Sequence, residues 1–424
     1  MNVPLDPGKG EGSQIQEQAS TTQAEPANST SKGSAVAIAM YCVLLAAYAL
    51  MAADRYLFPV LAPDVRGEFG FSLTQVGLLT TIFTLGLGIG GLPTGFLLSH
   101  LSRRSVLMTG TAIFSGATAL TAVVPGFWTM LICLAITGIG MAMMATVMFS
   151  LAASYFYRNR AAAIGSVNVC YGLGGIFGPI LAGVLVSAYG SWRVPMVVFG
   201  LAGILMVGVI ALTVRPWFSE TRRATDARAS IGGAPTLLNR NTVILTVLSG
   251  IFGLLLYGFL GLYPTFLRES LQYTPGTAGF VMSFFGLGAL ASIAGGWFGD
   301  RFSPRIVLST GFLGTAVLGY LFFNGPETVL AQGIMTCVYG VMGSAVLYVN
   351  LAAYHVKAVQ RSLASRGSGM FVTSFYGAST FAGYLMGALV SRTDWVVAGE
   401  IQISLFSVVA GVIALALRPE EMST

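Results

Sequence analysis

The stretch GFLLSHLSRRSVLMTG, from Gly95 to Gly110, returns 201 positions later as GWFGDRFSPRIVLSTG, from Gly296 to Gly311, with seven identical positions. In both copies an apolar run precedes a short basic turn and a second apolar run follows it. Each copy therefore predicts two membrane helices joined on one side, and the repeat predicts a chain built as two related halves. Internal repeats of this kind are typical of transporters.

Composition indicates a membrane protein, because 55% of the 424 residues are hydrophobic and only 9% are charged. Soluble proteins carry about 25% charged residues. Apolar stretches long enough to cross a hydrocarbon core of about 30 Å are centred near residues 48, 87, 114, 140, 175, 203, 254, 287, 315, 341, 378 and 407. The sequence thus predicts an all-α polytopic membrane protein with twelve transmembrane helices, six in each pseudo-symmetric half.

The polar segments set the predicted domain boundaries. Residues 1–34 are rich in Gln, Ser, Thr and Gly, so they bury too little apolar surface to fold, and we expect a disordered cytoplasmic tail. The rest divides into an N-terminal six-helix bundle at 35–214, a cytoplasmic linker at 215–240, a C-terminal six-helix bundle at 241–417 and a cytoplasmic tail at 418–424.

Charge placement predicts the orientation in the membrane. With both termini in the cytoplasm, seventeen of the twenty-two Lys and Arg residues fall on the cytoplasmic side, as the positive-inside rule requires. The net charge of +6 is therefore attributed to topology in a bacterial inner membrane and not to nucleic-acid binding. We expect a monomer in the lipid bilayer, with no metal and no cofactor.

Sequence motifs restrict the class of function. No phosphate-binding loop of the Walker type is present, which argues against ATP-driven transport. No catalytic constellation is recognisable either, so we do not expect an enzyme. Secondary transport is the remaining class for a repeated membrane protein of this kind.

Asp54 and Arg55 are the principal charged pair inside a predicted span. A charge at the centre of a membrane helix costs about 3 kcal/mol on insertion scales, so the pair needs a structural or functional reason. Arg55 shares a helix face with Tyr48 and Tyr41, and its planar guanidinium suits a carboxylate or phosphate; we expect it to bind an anionic substrate.

Asp54 lies among apolar residues, where loss of water favours the protonated acid, and we expect it to carry the proton. The alternative is that Asp54 and Arg55 lie near the outer end of the first span and merely satisfy polar partners on neighbouring helices.

The string GGWFGDRFSPR, from Gly295 to Arg305, resembles the loop signature G-x-x-x-D-R-x-x-x-R of the major facilitator superfamily. The resemblance covers the chain from about residue 35 to 417 and implies the twelve-helix fold and alternating access. In the first copy of the repeat Ser99 and His100 replace the Asp and Arg of the family, so we expect a weaker gate there. The implied gating residues are Arg103, Arg104, Asp300, Arg301 and Arg305; the alternative is that they only cap helices and fix topology.

The segment from Met51 to Leu79 resembles the anion:cation symporters of sugar acids and related organic anions. That resemblance implies that Asp54 and Arg55 couple protons to carboxylate binding. The Arg and Glu that those symporters show in span 4 are replaced by Leu134 and Met141. Met141 lies on a Met-rich face, which is either core filling or the wall of a substrate pocket.

Span 5 resembles the motif of proton-coupled drug antiporters, through Gly165, Gly174, Gly178, Pro179 and Gly183. This implies export, with Gly178 and Pro179 in the conformational change. The alternative is a packing and kink motif that importers share, since small residues allow helices to approach closely.

Further candidates for substrate binding lie in the second half at Tyr257, Asn350 and Tyr376. Together these features predict a proton-coupled symporter that imports a small organic anion of the carboxylate class. The alternatives are a proton-coupled exporter of drugs or metabolites, and a membrane receptor that keeps the fold without transport.

Overall fold

The computed structural model describes residues 27–156, 159–220 and 233–422. These residues are helical apart from turns and one isolated bridge between Ala234 and Val359. The N-terminal segment, which ends at residue 220, contains α1 (Ala27–Asp54), α2 (Leu57–Phe69), α3 (Leu73–Thr81), α4 (Phe83–His100), α5 (Arg103–Thr121), α6 (Phe127–Tyr155), α7 (Arg160–Tyr189), α8 (Arg193–Thr213) and α9 (Pro216–Ser219).

The C-terminal segment, which begins at residue 233, repeats this pattern of long helices. It contains α10 (Arg240–Glu269), α11 (Pro275–Ala289), α12 (Ser292–Arg301), α13 (Pro304–Asn324), α14 (Val329–Gly340), α15 (Val349–Lys357), α16 (Ala364–Ser379), α17 (Ala382–Arg392), α18 (Trp395–Gly399) and α19 (Phe406–Ala414). Short π-helical stretches at Val341–Tyr348 and Glu400–Leu405 make α14 continuous with α15 and α18 with α19.

Within the described ranges, nine helical stretches are long and apolar enough to cross a membrane. A tenth is obtained if α11 and the part of α12 from Ala294 to Arg301, which meet at a bend of 49°, form one span. The predicted spans centred near residues 114 and 378 fall on α5 and α16, which are not among these. The all-helical multi-pass membrane architecture is confirmed, and the number twelve stays a prediction.

The helices begin and end close to the predicted boundaries, with one clear difference. α1 begins at Ala27, inside the predicted tail, although its apolar candidate span begins at Ala35; residues 1–26 lie outside the described residues. In the linker, α9 follows directly on α8, residues 221–232 are again outside the described residues, and α10 begins at Arg240.

Large apolar side chains on the outside of the helices account for much of the accessible surface. Trp128 is 72% exposed, Leu205 71% and Leu212 78%. Such side chains would be unfavourable in water, whereas a lipid bilayer offers them an apolar solvent.

The first membrane span is interrupted where α1 gives way to α2, at Arg55 and Tyr56. Pro59 explains the break, because it lacks the N–H group that would bond to the Arg55 carbonyl, and its ring crowds that carbonyl. The chain tightens instead, so that the Tyr56 N–H donates to the Ala53 carbonyl at 3.1 Å. The interruption leaves Asp54 and Arg55 at the middle of a 35-residue span.

Close glycine contacts recur at corresponding positions of the two segments. A Cβ atom at Gly138 would overlap the carbonyl of Phe83, and a Cβ atom at Gly340 would overlap that of Phe285. Each residue of the second pair lies 202 positions after its counterpart in the first. The contact of α4 with α6 is thus repeated where α11 meets α14.

The N-terminal and C-terminal segments make their most extensive contacts through two helix pairs. α7 packs against α11, where a Cβ atom at Gly183 would come within 2.5 Å of the Pro275 carbonyl oxygen. α3 packs against α17, and at its end Thr81 Oγ1 donates to the Thr380 carbonyl at 2.9 Å. One helix break lies between α3 and α4 and another between α16 and α17. The hydrogen bond brings these two breaks together at the interface of the two segments.

Candidate functional site

The site is built around the break between α1 and α2, which small residues hold against α7. A Cβ atom at Gly178 would lie 2.5 Å from the Ala53 carbonyl oxygen, and one at Gly174 would lie 2.5 Å from the Ala52 Cβ atom. α1 and α7 therefore touch backbone to backbone next to Asp54. This close packing is the observed role of Gly178, and Pro179 follows it with its carbonyl facing Gly279 of α11.

The Arg55 side chain points to the interface between the two segments. Its Nη1 donates to the Tyr171 hydroxyl at 3.2 Å, and its Nη2 donates to the Tyr376 hydroxyl at 3.4 Å. Its Nε is buried and has no hydrogen-bond partner in the described ranges. A guanidinium has five N–H donors, so two long bonds to neutral hydroxyls leave much of its hydrogen-bonding capacity unused.

Aromatic rings surround the same guanidinium. Its central carbon lies 5.5 Å from the ring centroids of Phe83 and Tyr171, and 5.7 Å from that of Tyr376. At these distances the negative faces of the rings stabilise the cation. No salt bridge to Arg55 occurs among the described residues, so this electrostatic support comes from rings and hydroxyls.

The Asp54 side chain points away from Arg55, into the N-terminal segment. It is 7% exposed, and its Oδ2 accepts a hydrogen bond from Thr118 Oγ1 of α5 at 3.0 Å. Its Oδ1 has no partner in the part of the chain that the structure describes. A carboxylate buried with one hydroxyl donor is poorly compensated, whereas the neutral acid can use its proton as a donor.

Two narrow cavities lie on either side of Arg55. The room they leave for the centre of a water-sized sphere is about 20 Å³ in the larger and about 10 Å³ in the smaller. The larger is lined by residues that include Asp54, Arg55, Phe83, Thr118, Thr137 and Met141. The smaller is lined by residues that include Arg55, Tyr56, Pro59, Thr80, Phe83 and Tyr257.

The structure brings four of the six predicted substrate-binding residues together. Arg55 lies between the cavities, Met141 lines the larger one, Tyr257 lines the smaller one, and Tyr376 touches the guanidinium. Tyr48 lines neither cavity; it is buried, with its ring edge-on to a phenylalanine of α6.

Asn350 is also outside both cavities. Its Nδ2 donates to the carbonyls of Val346 at 2.9 Å, Gly295 at 3.2 Å and Ala345 at 3.3 Å. Away from water a side-chain amide must find partners within the protein. Asn350 therefore joins its own helix to α12, and this placement argues against the predicted role in substrate binding.

Sequence reasoning missed three side chains of the site, Phe83, Thr118 and Tyr171. Tyr171 accepts from both Arg55 and Tyr56, the latter at 3.1 Å. These residues lie on α4, α5 and α7, so their proximity to the first span depends on helix packing. A search for the partners that buried Asp54 and Arg55 require would have directed attention to polar residues of neighbouring spans, Thr118 among them.

At the first copy of the repeat, the carboxylate of Glu220 lies against the N-terminus of α5. Glu220 accepts the backbone N–H of Arg103 at 3.0 Å and that of Arg104 at 3.1 Å. The carboxylate thus caps the N-terminus of α5, where a negative charge is favourable. The Arg103 side chain donates to Ser154 at 3.3 Å, and that of Arg104 to the Ala211 carbonyl.

At the second copy the charged residues make contacts within the C-terminal segment. Asp300 accepts from Lys357 Nζ at 2.7 Å. The Arg301 guanidinium lies 5.2 Å from the centre of one ring of Trp297. Arg305 donates to the Leu417 carbonyl and lies 3.6 Å from Glu420. We call the end of the molecule that carries Arg103 and Asp300 the repeat-loop end.

The opposite end carries ion pairs that link the two segments, and we call it the ion-pair end. Arg66 of α2 pairs with Glu269 of α10 at 2.5 Å, while Arg268 of α10 pairs with Asp64 of α2 through two bonds, one of them 2.9 Å long. Arg268 lies 202 positions after Arg66. Each arginine therefore reaches across to a carboxylate of the other segment from a corresponding position.

Arg55 lines both cavities, and the smaller one has lining residues from both segments, whereas Asp54 lines only the larger one, whose lining residues all belong to the N-terminal segment. No cluster of three potential metal ligands occurs in the described ranges.

Comparisons with known proteins agree with the fold. The chain is 25% identical to the 4-hydroxybenzoate transporter of Pseudomonas putida over 71% of this chain and 75% of the relative. It is 27% identical to the hexuronate transporter of Bacillus subtilis over 62% of this chain and 67% of the relative.

Among solved structures, a bacterial homologue of the human lysosomal transporter Spinster matches with a TM-score of 0.69 at 16% identity, covering 89% of this chain and 95% of that one. A family model described as the Major Facilitator Superfamily matches residues 44–383 and, in a second match, residues 245–423. The prediction of a transporter and not an enzyme is thereby confirmed, and the chain belongs to the Major Facilitator Superfamily.

Proposed function

We propose that the protein is a proton-coupled secondary transporter, a symporter that imports a small organic anion by alternating access. Arg55 binds the carboxylate of the substrate, and Asp54 carries the proton. Both relatives named above are transporters of organic anions by name, which supports this substrate class.

The proposal rests on the surroundings of the Arg55 guanidinium. Its guanidinium is held at the interface of the two segments by hydroxyls and rings, with no carboxylate partner in the described ranges. A carboxylate matches two parallel N–H groups of a guanidinium and forms short, charge-assisted bonds with them. A bound anion would also remove the cost of leaving Arg55 without a counter-charge inside the membrane.

The charge of Asp54 gives a reason why anion binding and proton binding would be coupled. With Asp54 ionised and Arg55 free, the pair has no net charge, but an anion on Arg55 leaves one negative charge in a buried site. A proton on Asp54 cancels that charge, so anion and proton binding favour each other. The membrane-buried position makes this coupling stronger than it would be in water.

We further propose twelve spans in two six-helix halves at 35–214 and 241–417, with both termini in the cytoplasm of a bacterial cell. The 201-residue repeat, the recurring glycine contacts and a second family match that begins at residue 245 support two halves. The excess of Lys and Arg at the repeat-loop end supports a cytoplasmic position for that end.

Alternating access would then open and close the two ends in turn. The ion pairs of Arg66 and Arg268 close the outer end in the described conformation, while Asp300, Arg301, Arg305, Arg103 and Arg104 lie at the cytoplasmic end. Three of the span 5 glycines, Gly174, Gly178 and Gly183, are accounted for by packing of α7 on α1 and α11. They therefore give export no support of their own.

The test is proton flux in liposomes that contain the purified protein and an internal pH dye. Carboxylates added outside should acidify the lumen; Asp54→Asn should abolish the signal, and Arg55→Lys should reduce it to background because a lysine cannot bind bidentately. Arg193→Lys is the matched control, since Arg193 pairs with Glu68 within the N-terminal segment. Alkalinisation on adding lipophilic cations, with no response to any carboxylate, would overturn the proposal in favour of an exporter.

A further inference from the structure

We infer that the anion is a small aromatic carboxylate, whose ring binds among the rings around Arg55. This inference rests on the proposed function and narrows its substrate class. The two relatives do not decide the question, because one is named for an aromatic acid and the other for a sugar acid. The side chains of the site have to decide it.

Four rings from four helices meet at Arg55. Phe83, Tyr171 and Tyr376 lie within 5.7 Å of its guanidinium carbon, as measured to their centroids. Tyr257 joins them, with its centroid 5.8 Å from that of Phe83 and 6.4 Å from that of Tyr376. A substrate ring bound here finds both ring faces and ring edges, the two arrangements that aromatic pairs prefer.

The threonine hydroxyls that line the cavities already donate hydrogen bonds within the protein. Thr80 donates to the Gly77 carbonyl, Thr137 to the Cys133 carbonyl, and Thr118 to Asp54. A sugar acid carries a hydroxyl on nearly every carbon, and each would need a partner away from water. The site offers few free partners for such a substrate and a large apolar surface for a ring.

The cavities beside Arg55 are narrow in the described conformation. They leave about 20 and 10 Å³ of room for the centre of a water-sized sphere, so side chains have to move apart before a substrate ring can enter. The carboxylate would bind Arg55 in place of the hydroxyls of Tyr171 and Tyr376, whose present bonds to it are 3.2 and 3.4 Å long. The ring would then extend into one of the cavities.

The experiment compares aromatic, alicyclic and sugar carboxylates in the liposome assay at pH 7.5, where the acids are almost fully ionised. The probes are benzoate, 4-hydroxybenzoate, cyclohexanecarboxylate, galactonate and glucuronate. Flux through Arg55→Gln liposomes is subtracted, since benzoic acid crosses bilayers unaided. We expect the aromatic acids to give half-maximal flux at concentrations about three to ten times lower than cyclohexanecarboxylate, and the sugar acids to give none.

Phe83→Leu tests the role of the rings directly, because it replaces an aromatic side chain by another apolar one and removes no hydroxyl group from the site. It should raise the half-saturating concentration about three- to ten-fold for benzoate and leave that for cyclohexanecarboxylate nearly unchanged. Arg55-dependent flux with the sugar acids but not with the aromatic acids would overturn the inference and leave the proposed symporter intact. Absence of such flux with every carboxylate would overturn the proposed function itself.

Discussion

Asp54 and Arg55 are consecutive residues, yet their side chains lie in separate environments and no salt bridge joins them. Asp54 accepts from Thr118 inside the N-terminal segment, whereas Arg55 donates to Tyr171 and to Tyr376 of the other segment. A direct ion pair would have neutralised both groups and left neither free to bind. Separation would keep the proposed proton site and the proposed anion site close enough to interact through space.

Asp54→Asn should therefore uncouple transport without abolishing substrate binding. Uptake driven by an inward proton gradient should fall by about ten-fold or more, because the variant has no group that takes up the compensating proton. Exchange of labelled for unlabelled carboxylate should persist, since it needs no net proton movement. Both are measured as uptake of the radiolabelled substrate into liposomes.

The matched control is Asp394→Asn, at an exposed carboxylate that accepts the Val397 N–H at 2.8 Å and caps α18. Asparagine is as good a cap as aspartate, so this variant should keep both activities. Loss of exchange together with gradient-driven uptake in Asp54→Asn would show that Asp54 serves substrate binding or folding instead.

The ion-pair end should open more readily when its cross-links are removed. Asp64 and Arg268 are 25% and 15% exposed at their side chains, and Arg66 and Glu269 are 34% and 29% exposed. Partly screened pairs of this kind contribute up to about 1 kcal/mol each. Asp64→Asn combined with Glu269→Gln should therefore shift the ratio of open to closed molecules by about two- to thirty-fold.

Spin labels can follow that shift after the four native cysteines are replaced. Labels at Tyr189 of α7 and Leu330 of α14, both exposed, report the distance between the segments at the ion-pair end. The longer distances should gain population in the double variant. Glu68→Gln is the control, because it removes an ion pair of Arg193 within one segment, and an equal shift in both variants would refute a specific role for the cross-links.

Glu220 should stabilise the structure through its bonds to the start of α5. Glu220→Gln removes the negative charge that lies against the N–H groups of Arg103 and Arg104. A charge at a helix N-terminus is worth about 0.3 to 1 kcal/mol. We therefore expect the melting temperature in detergent to fall by about 1 to 4 °C. Glu420→Gln, at a carboxylate whose side chain is 65% exposed, should change it less; equal shifts would contradict the capping role.

Much of the fold could be predicted because a membrane span is recognisable from the composition of a short stretch of sequence. The repeat at Gly95 and Gly296 and the apolar runs needed no knowledge of contacts. The break at Arg55 was also within reach, since Pro59 removes the N–H that its carbonyl would accept. The predicted span centred near residue 48 includes no such break.

The side chains around the charged pair were much harder to predict, since they lie far apart along the chain. Tyr171 and Tyr376 reach Arg55 only because α7 and α16 pack beside it. Asn350 shows the converse difficulty, because a polar residue in a span can serve packing by bonding to backbone carbonyls. Glu220 lies in the predicted linker, and nothing in its neighbourhood pointed to a helix end more than a hundred residues earlier.

Substitutions at two glycines of the span 5 motif can distinguish a packing role of the motif from a role in export. A Cβ atom at Gly178 would lie 2.5 Å from the Ala53 carbonyl oxygen, whereas one at Gly165 would meet nothing within 4 Å. Gly178→Ala should therefore force α1 away from α7 and cost about 1 to 3 kcal/mol, with loss of uptake because Asp54 follows Ala53 directly. Gly165→Ala should be tolerated, since alanine favours a helix over glycine by about 1 kcal/mol. Melting temperature in detergent and uptake into liposomes measure both effects, and equal loss of uptake in two well-folded variants would mean that the motif acts as a unit in transport and not through local packing.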